Sequence, residues 1–172
     1  MTNLSEVWMR GPVPDIPPVL QPVAHSLIQC LEEVRAAIAG LTLAQLWAQP
    51  GGAASAGFHV RHATGSLDRL FTYARGEALT EAQLAALGAE QERDLAADTG
   101  ERLIDVFATQ IERALRQLRE TDEKTLLEPR GVGRAQLPST VLGLLFHAAE
   151  HAQRHVGQLV TTVTIVRGLA SL

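Results

Sequence analysis

Three of the six histidines in this chain recur at intervals of four residues near its carboxyl end, as His147, His151 and His155. On an α-helix, residues four apart lie one above the other on the same face, so these side chains form a single stripe. A neutral imidazole is a common metal ligand, and two imidazoles one helical turn apart can bind the same ion. The spacing therefore indicates a metal-binding helix.

The direction of this stripe follows from the apolar residues around it. With about 100° per residue and Leu144 as the origin, His151 and His155 fall about 20° to either side of the apolar face, and His147 falls about 60° away. His147 and His155 are separated by about 12 Å along the axis, at roughly 1.5 Å per residue, which is too far to share one ion comfortably. At most one adjacent pair can therefore bind a metal from this helix, and His151 with His155 is the inward pair.

A third ligand has to come from another helix. The other clustered histidines are His59 and His62, which are three positions apart in an earlier helical segment. The helical wheel of that segment turns His59 further inward than His62, so either can be the third ligand at this stage. Two histidines from one helix and one from another leave a coordination position vacant, which is the pattern of catalytic metals.

Two other interpretations of the histidines have to be considered. An inward histidine is often a core residue with a hydrogen-bonded ring, and His25 is assigned in this way. Two inward imidazoles each need a polar partner, which favours a bound divalent ion over simple burial. The run from His147 to His151 also matches the H-x-x-E-H pattern of zinc peptidases, with Glu150 as general base, but the wheel turns Glu150 away from the inward pair.

Composition narrows the possible functions. The chain has 172 residues and a net charge of −4 without a basic block, which predicts one domain and gives little support to nucleic-acid binding. The single cysteine, Cys30, excludes a disulfide within the chain and a cysteine-based zinc site, and its apolar surroundings predict a buried, inert thiol. There is no signal-peptide pattern and no membrane-spanning apolar run, so we expect a cytoplasmic protein without membrane contact.

The elements that position these histidines are predicted to be helices. Five prolines between Pro12 and Pro22 predict an extended arm over residues 1–18, with Trp8 and Met9 packed against the body or a partner, followed by a helical domain over 19–172. No segment alternates in the manner of a strand. We therefore predict an all-α four-helix bundle with an extended proline-rich N-terminal arm and short connecting helices. The predicted long helices span 19–39, 55–76, 99–119 and 139–168, and the short ones span 42–47 and 80–87.

Local signals accompany these helices. Ser55 is predicted to cap the second long helix, and Ser139, after a proline, is predicted to cap the fourth. A polar stretch follows the second short helix, and a loop rich in glycine and charge is predicted over 128–134. On the fourth helix, Leu142, Phe146 and Val160 form a second apolar face, which predicts a partner, most simply an identical subunit.

Two segments resemble the DinB-like family of four-helix, metal-dependent proteins, which also includes YfiT-type proteins. They are Ser55-Ala-Gly-Phe-His-Val-Arg-His62-Ala63 and His151-Ala-Gln-Arg-His155-Val-Gly-Gln158, with Leu41-Thr-Leu-Ala-Gln-Leu-Trp47 as supporting context. The resemblance extends over most of residues 19–168. It implies a metal site formed by His62, His151 and His155. His59 is then an accessory or substitute ligand, and His147 is an extra histidine that holds a water or orients a ligand.

The resemblance also implies partners and chemistry. Members of the family are usually homodimers that bind nickel, zinc or another divalent ion, and three imidazoles also suit iron and copper. Characterised members include transferases that use thiols such as mycothiol or bacillithiol, and a thiol-dependent maleylpyruvate isomerase. A low-molecular-weight thiol is therefore a candidate cosubstrate, with a small molecule as substrate.

The leading hypothesis is a metal-dependent enzyme that performs thiol S-transfer or hydrolysis. Gln158 and Arg154 are the nearest polar side chains on the fourth helix, but Arg154 is turned towards solvent, which favours an ordinary surface charge. Tyr73 lies on the second-helix face near His62, where core packing is favoured over contact with a substrate. No carboxylate occupies an evident general-base position. One alternative is a non-enzymatic, metal-binding dimeric bundle with a sensor or interaction role. A second is a metal-free bundle. Thiol transfer and hydrolysis are both open at this point.

Overall fold

A computed structural model describes residues 5–92 and 98–169, and these residues form six α-helices and a small two-stranded sheet. Residues 1–4 of the predicted arm, part of the predicted polar stretch (93–97) and residues 170–172 lie outside the described residues. The helices are α1 (Gln21–Ile38), α2 (Leu43–Leu46), α3 (Ala56–Ala74), α4 (Glu81–Gly88), α5 (Gly100–Glu120) and α6 (Val141–Leu169). The strands are β1 (Pro129–Val132) and β2 (Leu137–Thr140). The expectation of a mostly helical fold is confirmed.

Hydroxyl side chains start most of these helices, because they accept hydrogen bonds from backbone N–H groups that have no partner within the helix. Ser55 accepts from the backbone N–H of Phe58 at the start of α3, as its sequence position predicts. Thr42 and Thr80 each form a reciprocal capping box with a glutamine three residues later. The start of α3, which carries the first two candidate histidines, is therefore fixed by local chemistry.

The four longest helices share one hydrophobic core. α6 packs along α3 and α1, and α5 packs against α3 and α1. The fully buried side chains of Leu27, Leu67, Phe107 and Leu145 represent the contributions of α1, α3, α5 and α6 to this core. The long contact between α3 and α6 brings together the two helices that carry the candidate metal ligands.

The sheet corrects the prediction that the chain has no strands. β1 and β2 pair antiparallel, with Val132 opposite Leu137, and they replace part of the loop expected over 128–134. Each strand has four residues and includes a proline, so neither is long enough to show an alternating pattern. Ser139 lies in β2, and the residue that caps α6 is Thr140, whose Oγ1 accepts a hydrogen bond of 3.0 Å from the N–H of Gly143.

The described part of the N-terminal arm also differs from its prediction. It contains a 3₁₀ turn at Val7–Arg10 and another at Pro18–Leu20, so it is not extended throughout. Val7 and Ile16 are buried, whereas Trp8 and Met9 are 64% and 53% exposed. Trp8 and Met9 therefore do not pack closely against the body, and the other expected position, against a partner, stays a prediction.

Two further predictions can be compared with the described residues. Cys30 is fully buried in α1, as expected, and burial raises the pKa of its thiol to about 12. His25 is half-buried, and its Nε2 lies 3.0 Å from the carbonyl oxygen of Gly11 in the arm, so its ring is hydrogen-bonded at the edge of the core. Within the part of the chain that the structure describes, every helix is too short or too polar to cross a membrane.

Candidate metal centre

Four histidine side chains from α3 and α6 meet at the contact between these helices. Nε2 of His62 lies 3.0 Å from Nε2 of His151, and Nδ1 of His59 lies 3.0 Å from Nδ1 of His155. The ring centroids of His62 and His155 are 4.4 Å apart, and those of His151 and His155 are 4.6 Å apart. We refer to these four residues as the histidine cluster.

Three members of the cluster have the spacing of a metal site. One ring nitrogen from each of His62, His151 and His155 lies within 4.8 Å of the others. Two imidazole nitrogens at 2.0–2.1 Å from one ion lie about 2.9–3.4 Å apart, depending on the coordination angle. The facing nitrogens of His62 and His151 already have this separation, and a ring nitrogen of His155 lies within 4.8 Å of both. These residues therefore fit a divalent ion.

The protonation behaviour of the cluster also suits a metal. Burial lowers the pKa of His59, His151 and His155, and the neighbouring imidazoles lower it further. The pKa of His155 falls to about 4. These rings are therefore neutral at pH 7, and a neutral imidazole has the lone pair that metal binding requires.

The two histidines of α3 take different positions in the cluster. His59 is only 6% exposed, in agreement with the helical wheel, but it contacts the Nδ1 side of His155. His62 is more exposed and faces His151. His62, not His59, belongs to the group of three nitrogens. His59 is therefore the more buried of the two histidines, whereas His62 supplies a nitrogen to the group of three. The assignment of His62 as a metal ligand stays a prediction.

His147 and Glu150 lie at the outer edge of the cluster. His147 is exposed, its ring centroid is 5.5 Å from that of His151, and its Nδ1 lies 3.2 Å from Oε2 of Glu150. Glu150 also forms an ion pair with Arg154, which lowers the pKa of the Glu150 carboxyl group. Among the described residues the group of three nitrogens does not include His147, so this geometry does not favour the peptidase-like arrangement.

A carboxylate that no sequence pattern predicts, that of Glu90, lies at the cluster. Glu90 lies in a 3₁₀ turn, Ala89–Gln91, that follows α4, and it is 9% exposed. Its Oε2 lies 2.7 Å from Nδ1 of His62, and its Oε1 accepts a 2.6 Å hydrogen bond from Nη1 of Arg69. Glu90 stands in a polar run of the sequence, which is typical of a solvated segment, so no local signal distinguishes it.

A cleft of about 670 Å³ opens beside the cluster. His59 and His155 form part of its wall, Phe58 and Ile165 contribute apolar surface, and the polar Gln158 contributes next to them. Arg154 also lines this cleft, so both polar residues singled out on α6 lie near the cluster. A cavity of this size is typical of small-molecule sites.

Tyr73 packs against the hydrophobic core, which confirms the favoured prediction for it, and it lies away from the cluster. It is three helical turns after His62, about 16 Å along α3 at roughly 1.5 Å per residue. It lines a separate cavity of about 440 Å³ together with Arg134. Its expected proximity to His62 is therefore wrong, because the wheel gives the direction of a side chain and not its position along the axis.

Comparison with known proteins adds one result. A family model described as the DinB superfamily matches residues 26–159, which is more than three quarters of the chain. The matched range includes all four residues of the histidine cluster and Glu90. No curated protein matches the chain.

Proposed function

The chain belongs to the DinB superfamily, and we propose that it is a divalent-metal-dependent enzyme with His62, His151 and His155 as the metal ligands. The observation that carries this proposal is the placement of three imidazole nitrogens within 4.8 Å of one another by two helices. Three protein ligands leave at least one coordination position for a water or a substrate atom. We also propose that the four long helices form the four-helix bundle expected from the sequence.

The donor set limits the metal. Imidazole nitrogens suit zinc and nickel, and also iron and copper, whereas magnesium and calcium prefer oxygen ligands. We propose zinc or nickel as the resident ion. When bound, such an ion lowers the pKa of a coordinated water or thiol and so supplies a nucleophile near neutral pH.

The cleft supports a reaction on a small organic molecule. Phe58 and Ile165 provide apolar surface that can hold part of a substrate in this open cleft. Arg154 and Gln158 provide polar groups that can orient an anionic or hydrogen-bonding part of that substrate. The side chains of the cleft therefore serve to bind and orient, next to the proposed metal position.

We propose thiol S-transfer as the reaction, with hydrolysis as the other possibility. Cys30 cannot be the nucleophile, because it is fully buried and its pKa is raised to about 12. Sulfur chemistry at this site therefore needs an external low-molecular-weight thiol as cosubstrate. Its sulfur would form a bond to an electrophilic carbon of the substrate in the cleft, the leaving group would depart from that carbon with the electron pair of the broken bond, and the thiol proton would pass to solvent. With water in place of the thiol, the same arrangement supports hydrolysis.

A second candidate function is that of a non-enzymatic, metal-binding homodimer with a sensor or interaction role. It is supported by Phe146 and Val160, which share the outer face of α6 and are 60% and 39% exposed. Leu142, which was expected on the same face, is only partly exposed and packs against the core. We propose a cytoplasmic homodimer for either function, with this face of α6 at the subunit contact.

The experiment that tests the proposed function is a measurement of metal content per chain, on protein purified without a histidine tag. We expect about one divalent ion per chain in the wild type and almost none in His151→Ala. His147→Ala is the matched control, because this exposed histidine lies outside the group of three nitrogens, and it should retain the ion. Absence of metal from the wild type, with no thermal stabilisation by added zinc or nickel, would contradict the proposal.

Cobalt substitution then separates the enzyme from the non-enzymatic dimer. An open coordination position predicts that azide or a small thiol changes the visible absorption spectrum of the cobalt protein. A cobalt spectrum that does not respond to either compound would indicate a site closed by protein groups. That result would favour the sensor or interaction role.

A further inference from the structure

Glu90 makes two close contacts that use both oxygens of its carboxylate. Oε2 lies 2.7 Å from Nδ1 of His62, and Oε1 lies 2.6 Å from Nη1 of Arg69. The side chains of Glu90 and Arg69 are only 10% and 11% exposed. A carboxylate that is paired at both oxygens and largely shielded from water is held in one orientation.

The backbone of α3 leaves room for this pair at Gly65. A Cβ atom at this position would lie 2.6 Å from Oε1 of Glu90 and 2.7 Å from Nη1 of Arg69, closer than van der Waals contact allows. Glycine is a poor helix former, and Gly65 stands in the interior of α3. The Glu90–Arg69 pair therefore occupies a space that exists because residue 65 has no side chain.

The segment that carries Glu90 is held against α3 by Arg61. Nη2 of Arg61 donates a 3.1 Å hydrogen bond to the carbonyl oxygen of Ala89, and Nη1 donates to the carbonyl oxygen of Glu92. Nη1 also forms an ion pair of 3.2 Å with Asp98. The backbone is thus fixed on both sides of Glu90, which places its carboxylate at His62.

The two nitrogens of the His62 ring face different partners. Nδ1 faces the Glu90 carboxylate, and Nε2 faces His151 inside the group of three nitrogens. A carboxylate accepts a hydrogen bond from Nδ1–H, and this tautomer leaves the lone pair on Nε2. Residues that hold the outer nitrogen of a metal-binding histidine orient its ring and raise its affinity for the metal.

We propose that Glu90 is a positioning residue for the metal site, which fixes the tautomer and orientation of His62 so that Nε2 is presented to the ion, with Arg69 and Gly65 fixing the carboxylate in turn. This inference rests on the proposed metal-binding function. It adds the turn after α4 to the two helices that build the site, and it gives Glu90 a role outside the set of direct ligands.

The test is the zinc affinity of the full, metal-free chain, measured by calorimetry. We expect Glu90→Ala to bind one zinc ion per chain with an affinity about 10- to 100-fold below that of the wild type. Glu90→Gln should lose less, because its amide oxygen still accepts from Nδ1–H. Glu92→Ala is the matched control, since this exposed glutamate is two positions further along the same segment. The zinc affinity of this variant should equal that of the wild type.

A second variant keeps the carboxylate in the chain but moves it. In Gly65→Ala the new methyl group displaces Oε1 of Glu90, so zinc affinity should fall although Glu90 is still present. In wild-type protein, long-range ¹H–¹⁵N spectra of the imidazole should show His62 with its proton on Nδ1. This tautomer should no longer be the single form in Glu90→Ala.

The outcomes are distinguishable. Unchanged affinity in both Glu90→Ala and Gly65→Ala, with normal binding by the wild type, would overturn the role of Glu90 and leave the metal site intact. An equal loss in Glu92→Ala would assign the effect to general disruption of the segment and would also overturn it. Failure of the wild-type chain to bind zinc would overturn the proposed function itself.

Discussion

Acidification of the metal-free protein is expected to destabilise it before most carboxylates are protonated. The pKa values of His59, His151 and His155 lie below their ordinary value of 6.5 in the folded state, and that of His155 lies at about 4. Between these values the unfolded chain binds more protons than the folded chain. The contribution of these three rings to stability should therefore be complete above pH 6.5 and should be lost progressively as the pH falls towards about 4, where His155 titrates.

The size of this effect follows first from the burial of the three rings and then from the repulsion between neighbouring imidazoles. Nδ1 of His59 lies 3.0 Å from Nδ1 of His155, so protonation of both rings would place two positive charges in contact in a partly buried site. With the screening expected for partly exposed groups, the combined effect of the three rings is about 2 kcal/mol. This corresponds to a fall in Tm of about 4–8 °C for a domain of this size.

The assay is thermal unfolding followed by circular dichroism, on chelator-treated protein between pH 7.5 and pH 5. The wild-type Tm should fall more steeply with decreasing pH than the Tm of His155→Gln, which lacks one titrating ring. His147→Gln is the matched comparison, because this exposed ring is only one of several groups that lower the pKa of His151, so the variant should stay closer to the wild type than His155→Gln does. Parallel curves for the wild type and His155→Gln would refute the reasoning, since the cluster would then make no contribution to the pH dependence.

Two further predictions concern the framework of the site, and both are checked by urea unfolding. Gly57→Ala should lower the free energy of unfolding by about 1 kcal/mol, because its methyl group would lie 2.7 Å from the indole ring of Trp47. The cost of this overpacking is expected to exceed the gain in helix propensity. In Gly157→Ala the methyl group would point into open space, so the free energy of unfolding should rise by up to about 1 kcal/mol. A more stable Gly57→Ala and a less stable Gly157→Ala would contradict this account. Thr140→Ala should destabilise the protein by about 1 kcal/mol through loss of the helix cap, whereas Ser139→Ala should change stability by less than about 0.5 kcal/mol. Equal effects of the two substitutions would show that Thr140 is not the residue that caps α6.

The features that sequence reasoning predicts are those with a local signal. The apolar stripe around Leu144 places His151 and His155 on the inner face of α6, and the structure brings both into the histidine cluster. Ser55 marks the start of α3 because a helix cap depends on residues within one turn. Periodicity and capping both act over a few positions, so a single sequence contains them.

The features that it misses depend on contacts between distant segments. Glu90 is polar and lies in a polar run, and only the fold places it at His62, 28 positions earlier. The wheel gives the burial of His59 correctly, but it does not show which of His59 and His62 faces His151 on another helix. The hairpin formed by β1 and β2 has no alternating pattern because each strand is so short. Each of these features depends on contacts between residues that are not neighbours in the sequence.

The facing nitrogens of His62 and His151 join points that are 89 positions apart in the sequence. An ion held by both in the folded chain and released on unfolding would stabilise the fold by mass action, by about 4 kcal/mol when the free ion concentration is about 1,000 times its Kd. With one cysteine the chain has no disulfide of its own. The proposed ion would therefore serve as a reversible cross-link, and metal supply would control how long each molecule survives as well as whether it can react.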